Sequence, residues 1–496
     1  YNALVNTGSR NSQTKSINHW LPTLAIILIL WLATGLRFYQ LEAQSFWNDE
    51  GNSARLSERS LPLIIEGTAS DIHPPFYYIA LRGWRELLGD TEFGLRSFSA
   101  FAGILTVALT FRLGRLIFHP GPGPARQTTI ILMAATFLAA INPALIYYSQ
   151  EARMYALLAL LSALSTFLLW QWLNSRRGIA WAAAYILTAA AGLYTHYFFP
   201  AVLLFQILMV MLWLFRSFRA LLFSPAELVG NRPIRKTFWQ WLAIMALVLL
   251  IYLPWLPVFW RQAGGRPPIR EPFLQFLWDS ASWLAYGETF SQTNWFWPTA
   301  AVVGLLLWAW YSKRRQVLIP FLGAAVPVLF MFAAGTTQPA FYKFMLSAVP
   351  FFILWLSGAL FFPPRQTQVK WLSILLPLLL CLLLLGETIF SLANLYHNPA
   401  YARADYRGMA QRIAQDDFSN AGIILTAPNQ WEVFTYYHRD AAPVYPLPKG
   451  QPDPAILEPE LSAITAKHDR LYAIFWGEAQ RDPQRVIERW LEKHTF

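Results

Sequence analysis

An adjacent pair of carboxylates and a nearby histidine are the first residues of this sequence that could carry out chemistry. Asp49 and Glu50 stand together, and Asp71 and His73 follow further along, just before two prolines. A carboxylate near a water interface can accept a proton from an incoming nucleophile, or it can hold a metal ion that stabilises a departing phosphate. Two alternatives stay open. The acidic pair could be a solvated turn that caps a helix starting near Gly51, and the His73 segment could be the rigid start of an interfacial helix.

Further ionisable side chains occur at the ends of apolar segments: Arg96, Glu151, Arg153, His196 and Lys343. Arg96 and Lys343 could bind a phosphate, or they could simply extend to the lipid headgroups. Glu151 and Tyr155 are four residues apart, so a helix would place them on one face, and a structural pair of Glu151 with an arginine is the alternative to a functional role. His196 stands among aromatic residues, and it fits a hydrogen-bonded interfacial residue as well as a ligand.

The composition indicates what must position these residues. Of 496 residues, 55% are hydrophobic and 14% are charged, whereas soluble domains carry roughly 25% charged residues. This composition predicts an integral membrane protein. The net charge of +11 would suit nucleic acid, but basic residues in a membrane protein usually mark its cytoplasmic side, so we predict no nucleic-acid partner. The single cysteine, Cys381, excludes a disulfide within this chain.

Apolar runs divide most of the chain into membrane-spanning helices. A hydrocarbon core about 30 Å thick requires about 20 apolar residues per helix. Eleven runs meet or approach this length, at 20–36, 98–116, 130–146, 154–172, 179–193, 198–215, 238–260, 297–311, 317–332, 344–361 and 371–393. The sequence therefore predicts an all-α polytopic membrane protein with about eleven transmembrane helices.

The basic residues predict the orientation of these helices, because lysine and arginine favour cytoplasmic loops. They occupy alternate loops, as Arg126, Arg176, Arg177, Arg216, Arg219, Arg232, Arg235, Lys236, Lys313, Arg314, Arg315, Arg365 and Lys370. The loop after the first helix is instead rich in acidic residues, so we expect it outside. With an odd number of spans, the N-terminus is cytoplasmic and the tail is extracytoplasmic, as in a multi-pass protein of the plasma (inner) membrane.

The regions outside the apolar runs predict two further features. In the external loop 38–93, residues 62–66 and 76–88 have the apolar spacing of helices that lie along the interface. The tail 396–496 is charged and contains short strand-like runs at 422–426 and 471–475, with helical patterns at 406–414 and 486–494. We therefore expect a cytoplasmic lead at 1–18, a transmembrane domain at 19–395 whose loop 38–93 carries the site, and a small extracytoplasmic α/β domain at 396–496.

These motifs together resemble those of the polytopic C-type glycosyltransferases, the GT-C class. The resemblance rests on Asp49-Glu50, His73-Pro74-Pro75-Phe76-Tyr77-Tyr78, Phe93-Gly94-Leu95-Arg96-Ser97, Ser149-Gln150-Glu151-Ala152-Arg153-Met154-Tyr155, Thr195-His196-Tyr197 and Tyr342-Lys343 before Val349-Pro350. It covers roughly residues 20–393 and points to the bacterial branch similar to dolichyl-phosphate-mannose protein mannosyltransferases and to the aminoarabinose transferase of lipid A. The tail, with Asp405-Tyr406-Arg407-Gly408, is similar to the external domain of many bacterial members.

The resemblance implies an activity and its partners. It implies transfer of a sugar from a polyprenyl-phosphate carrier to a protein, lipid or glycan acceptor on the outer face of the bilayer, with inversion at the anomeric carbon. Asp49 matches the catalytic acidic position of the family and takes the role of general base. Arg96, Arg153 and Lys343 are expected to bind the lipid phosphate, although arginine is common at the position of Lys343.

The same resemblance implies the rest of the site. The remaining substrate-binding residues would be Glu50, Asp71, His73, Glu151, Tyr155, His196 and Tyr342. Members of the family differ in whether they use a divalent metal ion. If one is bound here, its ligands would come from Asp49, Asp71, Glu151 and His196. The enzyme hypothesis requires Asp49 and several cationic side chains to converge on one hollow at the non-cytoplasmic boundary.

Two other classes of protein compete with this interpretation. A transporter or flippase for lipid-linked sugars would carry ionisable residues at mid-bilayer depth, and the apolar runs contain almost none. A non-catalytic subunit of a membrane complex would keep the GT-C fold with its outer cavity blocked. The sequence does not exclude that second alternative.

Overall fold

The computed structural model describes residues 8–118, 125–175, 178–223, 233–263, 269–290, 296–360, 372–416, 418–439, 442–477 and 481–495. Outside these residues lie several of the basic residues predicted in cytoplasmic loops, namely Arg176, Arg177, Arg232, Arg365 and Lys370. Helices up to residue 397 are α1 (Gly8–Phe38), α2 (Asn48–Ser57), α3 (Leu61–Ser70), α4 (Phe76–Leu88), α5 (Glu92–Phe118), α6 (Ala125–Ile141), α7 (Pro143–Ser149), α8 (Tyr155–Asn174), α9 (Gly178–Leu193), α10 (Phe199–Phe223), α11 (Ile234–Tyr252), α12 (Leu256–Ala263), α13 (Phe273–Tyr286), α14 (Phe296–Ala333), α15 (Val349–Leu360) and α16 (Leu372–His397). A 3-10 helix, Pro339–Ser347, precedes α15.

The described helices agree with a multi-pass membrane protein. Among the described residues, six helices are long and apolar enough to cross a membrane, and two bent helix pairs raise this number to eight. Three shorter apolar helices lie at Pro22–Phe38, Gly178–Leu193 and Phe296–Tyr311. All of these elements fall on runs that the sequence predicts, while the total of eleven spans stays a prediction.

Two of the predicted spans are bent. The chain turns by 48° between α6 and α7, where Pro143 takes the first position of the new helix and the Asn142 side chain accepts a hydrogen bond from the Leu145 N–H at 3.0 Å. It turns by 72° between the 3-10 helix Pro339–Ser347 and α15. Lys343 therefore lies in the 3-10 helix. The sequence predicts instead that it stands at the start of one straight membrane helix.

The predicted spans 297–311 and 317–332 both fall within α14. The rings of Trp310 and Phe321 are 4.8 Å apart between centroids. Eleven residues of a straight α-helix would separate them by about 16 Å along the axis. The helix axis therefore does not continue straight between these two residues, which is compatible with two separate spans.

The chain divides into two compact units. The helical unit comprises Tyr1–Leu41, Ile65–Leu81 and Arg96–Tyr401, and the mixed unit comprises Glu42–Ile64, Arg82–Leu95 and Ala402–Phe496. The sequence analysis assigns the whole loop 38–93 to the transmembrane domain. In the structure, two segments of this loop instead group with the tail, because α2 packs against a helix of the tail.

The mixed unit contains a small parallel sheet. Its further elements are α17 (Tyr406–Asp416), β1 (Ala421–Thr426), α18 (Trp431–Tyr437), β2 (Val444–Pro446), α19 (Pro454–Thr465), β3 (Arg470–Phe475) and α20 (Val486–His494). The strand order is β2-β1-β3, and Ile423 pairs with Val444 on one side and with Tyr472 on the other. Strands are present at both predicted positions. β2 has no sequence signal of its own, because it is three residues long and carries a proline.

Candidate active site

Asp49 and Glu50 occupy the first turn of α2 in the mixed unit. Carboxylates are favoured there because the N-terminus of a helix carries partial positive charge. The next residue, Gly51, lies against α18, where an added Cβ would clash with the backbone and Cβ of Val433. The close crossing of the two helices therefore requires glycine directly after the acidic pair.

The two neighbouring carboxylates have different surroundings. Glu50 is fully buried, and its Oε2 lies 2.9 Å from Nη1 of Arg403. Arg403 also donates its backbone N–H to Oε1 of Gln44 at 2.9 Å. Asp49 is only partly buried. Glu50 therefore has a structural partner within the mixed unit, and the carboxylate of Asp49 is the more accessible of the two.

In the helical unit, five of the predicted site residues come together from four segments of the chain. We call this group the cationic cluster; it consists of His73, Arg153, Tyr155, His196 and Lys343. The side chain of Arg153 is 1% exposed, and its Nη2 lies 3.0 Å from Nε2 of His73. Lys343 Nζ lies 5.1 Å from the centre of the Tyr155 ring, and Arg153 Cζ lies 6.0 Å from it.

His196 completes the cluster as a buried, neutral ring. Its Nδ1 accepts a hydrogen bond from the Phe198 N–H at 3.0 Å, and its ring centre lies 4.5 Å from that of Phe344. Burial, together with the positive charges of Arg153 and Lys343, lowers the pKa of His196 to about 3. The two cations thus produce a positive potential at this point, which opposes a further proton and would attract an anion.

The loops that carry the two histidines are joined through the backbone. The Phe76 N–H donates to the Tyr194 carbonyl at 2.9 Å. This bond brings the loop after Asp71 beside the loop between α9 and α10, so that the rings of His73 and His196 are 6.3 Å apart. The prolines after His73 fit this arrangement, because they hold the backbone extended before α4 begins.

The segment that carries Glu151 and Arg153 is not helical. Helix α7 ends at Ser149 and α8 begins at Tyr155. Between them the Arg153 N–H donates to the Glu151 carbonyl at 2.8 Å, which closes a tight turn. The prediction that Glu151 and Tyr155 share one helix face is therefore wrong, because spacing alone does not reveal that the helix is interrupted. The turn buries both Glu151 and Arg153.

Two predicted site residues of the helical unit, Arg96 and Tyr342, do not belong to the cationic cluster. Arg96 is buried, and its Nη1 donates to the Leu41 carbonyl at 2.9 Å, so it does not extend to lipid headgroups. Tyr342 is buried and lines a polar cavity beside α13. Tyr78, for which the sequence predicts no role, places its hydroxyl 3.3 Å from Nη1 of Arg153. Its place in the His73 motif was the available signal.

The donor set for a metal ion does not come together. In the part of the chain that the structure describes, no three His, Cys, Asp or Glu side chains form a group that could hold a metal ion. The predicted ligands Asp49, Asp71, Glu151 and His196 therefore form no metal centre here.

A multi-pass array of apolar helices together with a small α/β unit is consistent with the fold of the GT-C membrane glycosyltransferases. Comparison with solved structures shows that the chain has this fold. It is similar to ArnT from Cupriavidus metallidurans in the apo state, with 16% identity, 96% of this chain and 91% of that chain covered, and a TM-score of 0.55. ArnT bound to undecaprenyl phosphate matches at 15% identity over 88% of each chain, with a TM-score of 0.51.

An archaeal structure shares the fold as well. The oligosaccharyltransferase AglB from Archaeoglobus fulgidus, in complex with an inhibitory peptide and a dolichol-phosphate, matches 87% of this chain at 13% identity with a TM-score of 0.53. This chain spans 65% of the length of that protein. No family model matches the sequence, and no curated protein matches it.

Proposed function

We propose that this protein is a membrane glycosyltransferase that moves a sugar from a polyprenyl-phosphate carrier to an acceptor on the extracytoplasmic face. The fold supports this proposal, since its structural neighbours are glycosyltransferases. One of them binds undecaprenyl phosphate and another binds a dolichol-phosphate. The carrier keeps its tail in the bilayer, so a fold of apolar helices that ends in polar loops suits it.

The cationic cluster is the observation that carries the proposal. Arg153 and Lys343 both approach the Tyr155 ring, and the pKa of His196 beside them is lowered by burial first and by these two positive charges in addition. Arginine and lysine are the side chains that bind phosphate best, arginine through its fork of donors and lysine as a point charge. The negative charge of a lipid phosphate would be attracted to the buried Arg153 and to the half-buried Lys343.

The proposed reaction is a single displacement. The acceptor hydroxyl or amine attacks the anomeric carbon while the bond from that carbon to the phosphate oxygen breaks, and the electron pair leaves with the phosphate. Asp49 takes the proton of the acceptor as general base. Arg153 and Lys343 stabilise the charge that develops on the departing phosphate. Attack from the face opposite the leaving group inverts the anomeric carbon.

The proposed location follows the charge pattern of the sequence. The N-terminus lies in the cytoplasm, and the mixed unit lies outside the plasma membrane together with the acidic loop. Cys381 allows a simple test, because a Cys381→Ser background leaves no other cysteine. A single cysteine introduced at exposed Lys449 should react with a membrane-impermeant maleimide in intact cells. Protection at that position would contradict the orientation.

The activity is tested with the full-length chain in nanodiscs and a panel of undecaprenyl-phosphate monosaccharides. We expect release of undecaprenyl phosphate from at least one donor, and a loss of about 10²- to 10⁴-fold in Asp49→Asn, the usual contribution of a general base. The neighbouring variant Glu50→Gln should lower the melting temperature, because it removes the charge of the buried member of the ion pair between Glu50 and Arg403. Full activity of Asp49→Asn would remove Asp49 from the mechanism, and no release from any donor would overturn the proposed function.

A further inference from the structure

A polar cavity lies in the helical unit, beside α13 and the 3-10 helix Pro339–Ser347. Its volume is about 350 Å³, and its walls include Glu271, Asp279, Trp283, Glu288, Phe290 and Tyr342. We call it the acidic cavity, because three of these six residues carry carboxylates and no lysine or arginine is among its described lining residues. None of the three carboxylates has a role in the proposed transfer reaction.

The carboxylates of this cavity are held in different ways. Glu288 Oε2 accepts hydrogen bonds from Trp283 Nε1 at 2.8 Å and from the Tyr148 hydroxyl at 3.2 Å, so this carboxylate is fixed in place. Burial raises the pKa of Glu271 and of Asp279, and the charge of Asp279 raises that of Glu271 further. Both groups would therefore gain from a positive charge in the cavity.

Tyr342 adds a buried polar group to the same wall. It is 5% exposed, and its hydroxyl makes no hydrogen bond of ordinary geometry to any residue that the structure describes. The Glu271 carboxyl lies near enough to act on this hydroxyl as a charge and through a side-chain hydrogen bond that falls outside ordinary geometry. A buried hydroxyl without such a bond is costly, and a bound group that supplies a hydrogen-bond partner would remove that cost.

These observations define the chemistry of the ligand. The carboxylates do not converge as a metal site, since no three acidic or histidine side chains of the described residues could hold one ion together. Trp283, Phe290 and Tyr342 supply aromatic walls, which attract organic cations. A primary ammonium group offers three donors and one positive charge. We propose that the acidic cavity binds a primary ammonium group of a substrate.

The cavity and the cationic cluster share neighbouring residues. Tyr342 lines the cavity, and the next residue, Lys343, contributes to the cluster. The hydroxyl of Tyr148 meets Glu288, and the ring of Tyr148 lies 5.3 Å from that of Tyr155. The assignment of the ligand to the acceptor rests on the proposed function. In that case the enzyme selects an amine-bearing acceptor beside the lipid phosphate, whereas binding of an ammonium group does not depend on turnover.

The test is a binding measurement on the full-length chain in nanodiscs at pH 7. Glucosamine is the charged probe, and glucose and N-acetylglucosamine are neutral probes of the same ring. We expect glucosamine to bind at least tenfold more tightly than either neutral sugar, and Asp279→Asn and Glu271→Gln each to weaken it about tenfold. The control Glu86→Gln, an exposed carboxylate of the mixed unit, should leave the affinity unchanged.

Three results would overturn the inference: equal affinity for glucose, wild-type affinity in both cavity variants, or displacement of glucosamine by Ca²⁺ at a lower concentration than glucosamine itself requires. Measuring release of undecaprenyl phosphate in the same variants separates the two proposals. Glucosamine binding without any release of undecaprenyl phosphate would contradict the proposed transferase and support the ammonium site. Release of undecaprenyl phosphate without glucosamine binding would contradict the ammonium site and support the transferase.

Discussion

The cationic cluster and the acidic cavity show how one short element can serve two sites of opposite charge. The 3-10 helix Pro339–Ser347 contributes Lys343 to the cluster and Tyr342 to the cavity. With three residues per turn, successive side chains of such a helix point about 120° apart. The tyrosines Tyr148 and Tyr155 lie between the two groups of charges. This arrangement separates a site suited to an anion from one suited to a cation by the width of a few side chains.

The variant with the largest expected effect on this comparison disrupts the cationic cluster and leaves the acidic cavity intact. Arg153→Met removes the buried charge together with its contacts to His73 and Tyr78. We expect kcat/KM for transfer from the lipid donor to fall by about 10²- to 10³-fold, as for loss of one donor to a developing oxyanion. Glucosamine binding should not change.

Arg153→Lys is the matched control for this variant. It keeps the charge but loses the fork of donors, so part of the activity should return. A melting temperature measured for both variants shows whether the fold survives. Transfer at the wild-type rate in a folded Arg153→Met protein would contradict the role of the cluster.

The second prediction compares two adjacent residues. Lys343→Met should raise the KM for the lipid donor about tenfold. This corresponds to the loss of one contact to the phosphate worth about 1.4 kcal/mol. Tyr342→Phe should leave that KM unchanged and weaken glucosamine binding several-fold. Steady-state kinetics and the binding measurement on both variants check this. If the two variants have the same effect on both ligands, the cluster and the cavity are one site.

The cluster could be found in the sequence, and the cavity could not. Arg153, His196 and Lys343 stand at the ends of long apolar runs, where an ionisable group needs a reason to be present. The interrupted helix before Tyr155 escaped prediction, since the spacing of Glu151 and Tyr155 fits a helix equally well.

The sequence contains no local pattern that predicts the acidic cavity. Glu271 precedes α13, Asp279 lies within it and Glu288 follows it, while Tyr342 comes only after α14. The bend before α15 and the bonds to Glu288 bring these residues together. Both depend on tertiary packing. The apolar spans and the strands at 421–426 and 470–475 were predictable because each is a local pattern.

The third prediction uses pH to separate the two regions. The pKa of His196 is lowered to about 3 in the folded protein from 6.5, so between these values the unfolded chain binds more protons. Stability is therefore lost as the pH falls from 6.5, by up to about 1.4 kcal/mol per pH unit. His196→Gln, which keeps an acceptor for the Phe198 N–H, should lose less. Melting temperatures between pH 7 and pH 5 check this, and equal acid sensitivity would contradict the neutral state of His196.

The smallest expected effect has the opposite sign. The pKa values of Glu271 and Asp279 are raised in the folded protein. Between the ordinary and the raised pKa values, the folded chain therefore binds more protons than the unfolded chain. Their contribution to stability is present at acid pH and is lost as the pH rises through the raised values. Asp279→Asn should therefore be as stable as the wild type at pH 7 or slightly more so, by less than about 0.5 kcal/mol, because the side chain is partly exposed. A clear loss of stability at pH 7 would mean that the Asp279 carboxylate already has a positively charged partner within the protein, in addition to its hydrogen bond with Gln275. The acidic cavity would then have no unmet charge to offer a ligand, and its contrast with the cationic cluster would disappear.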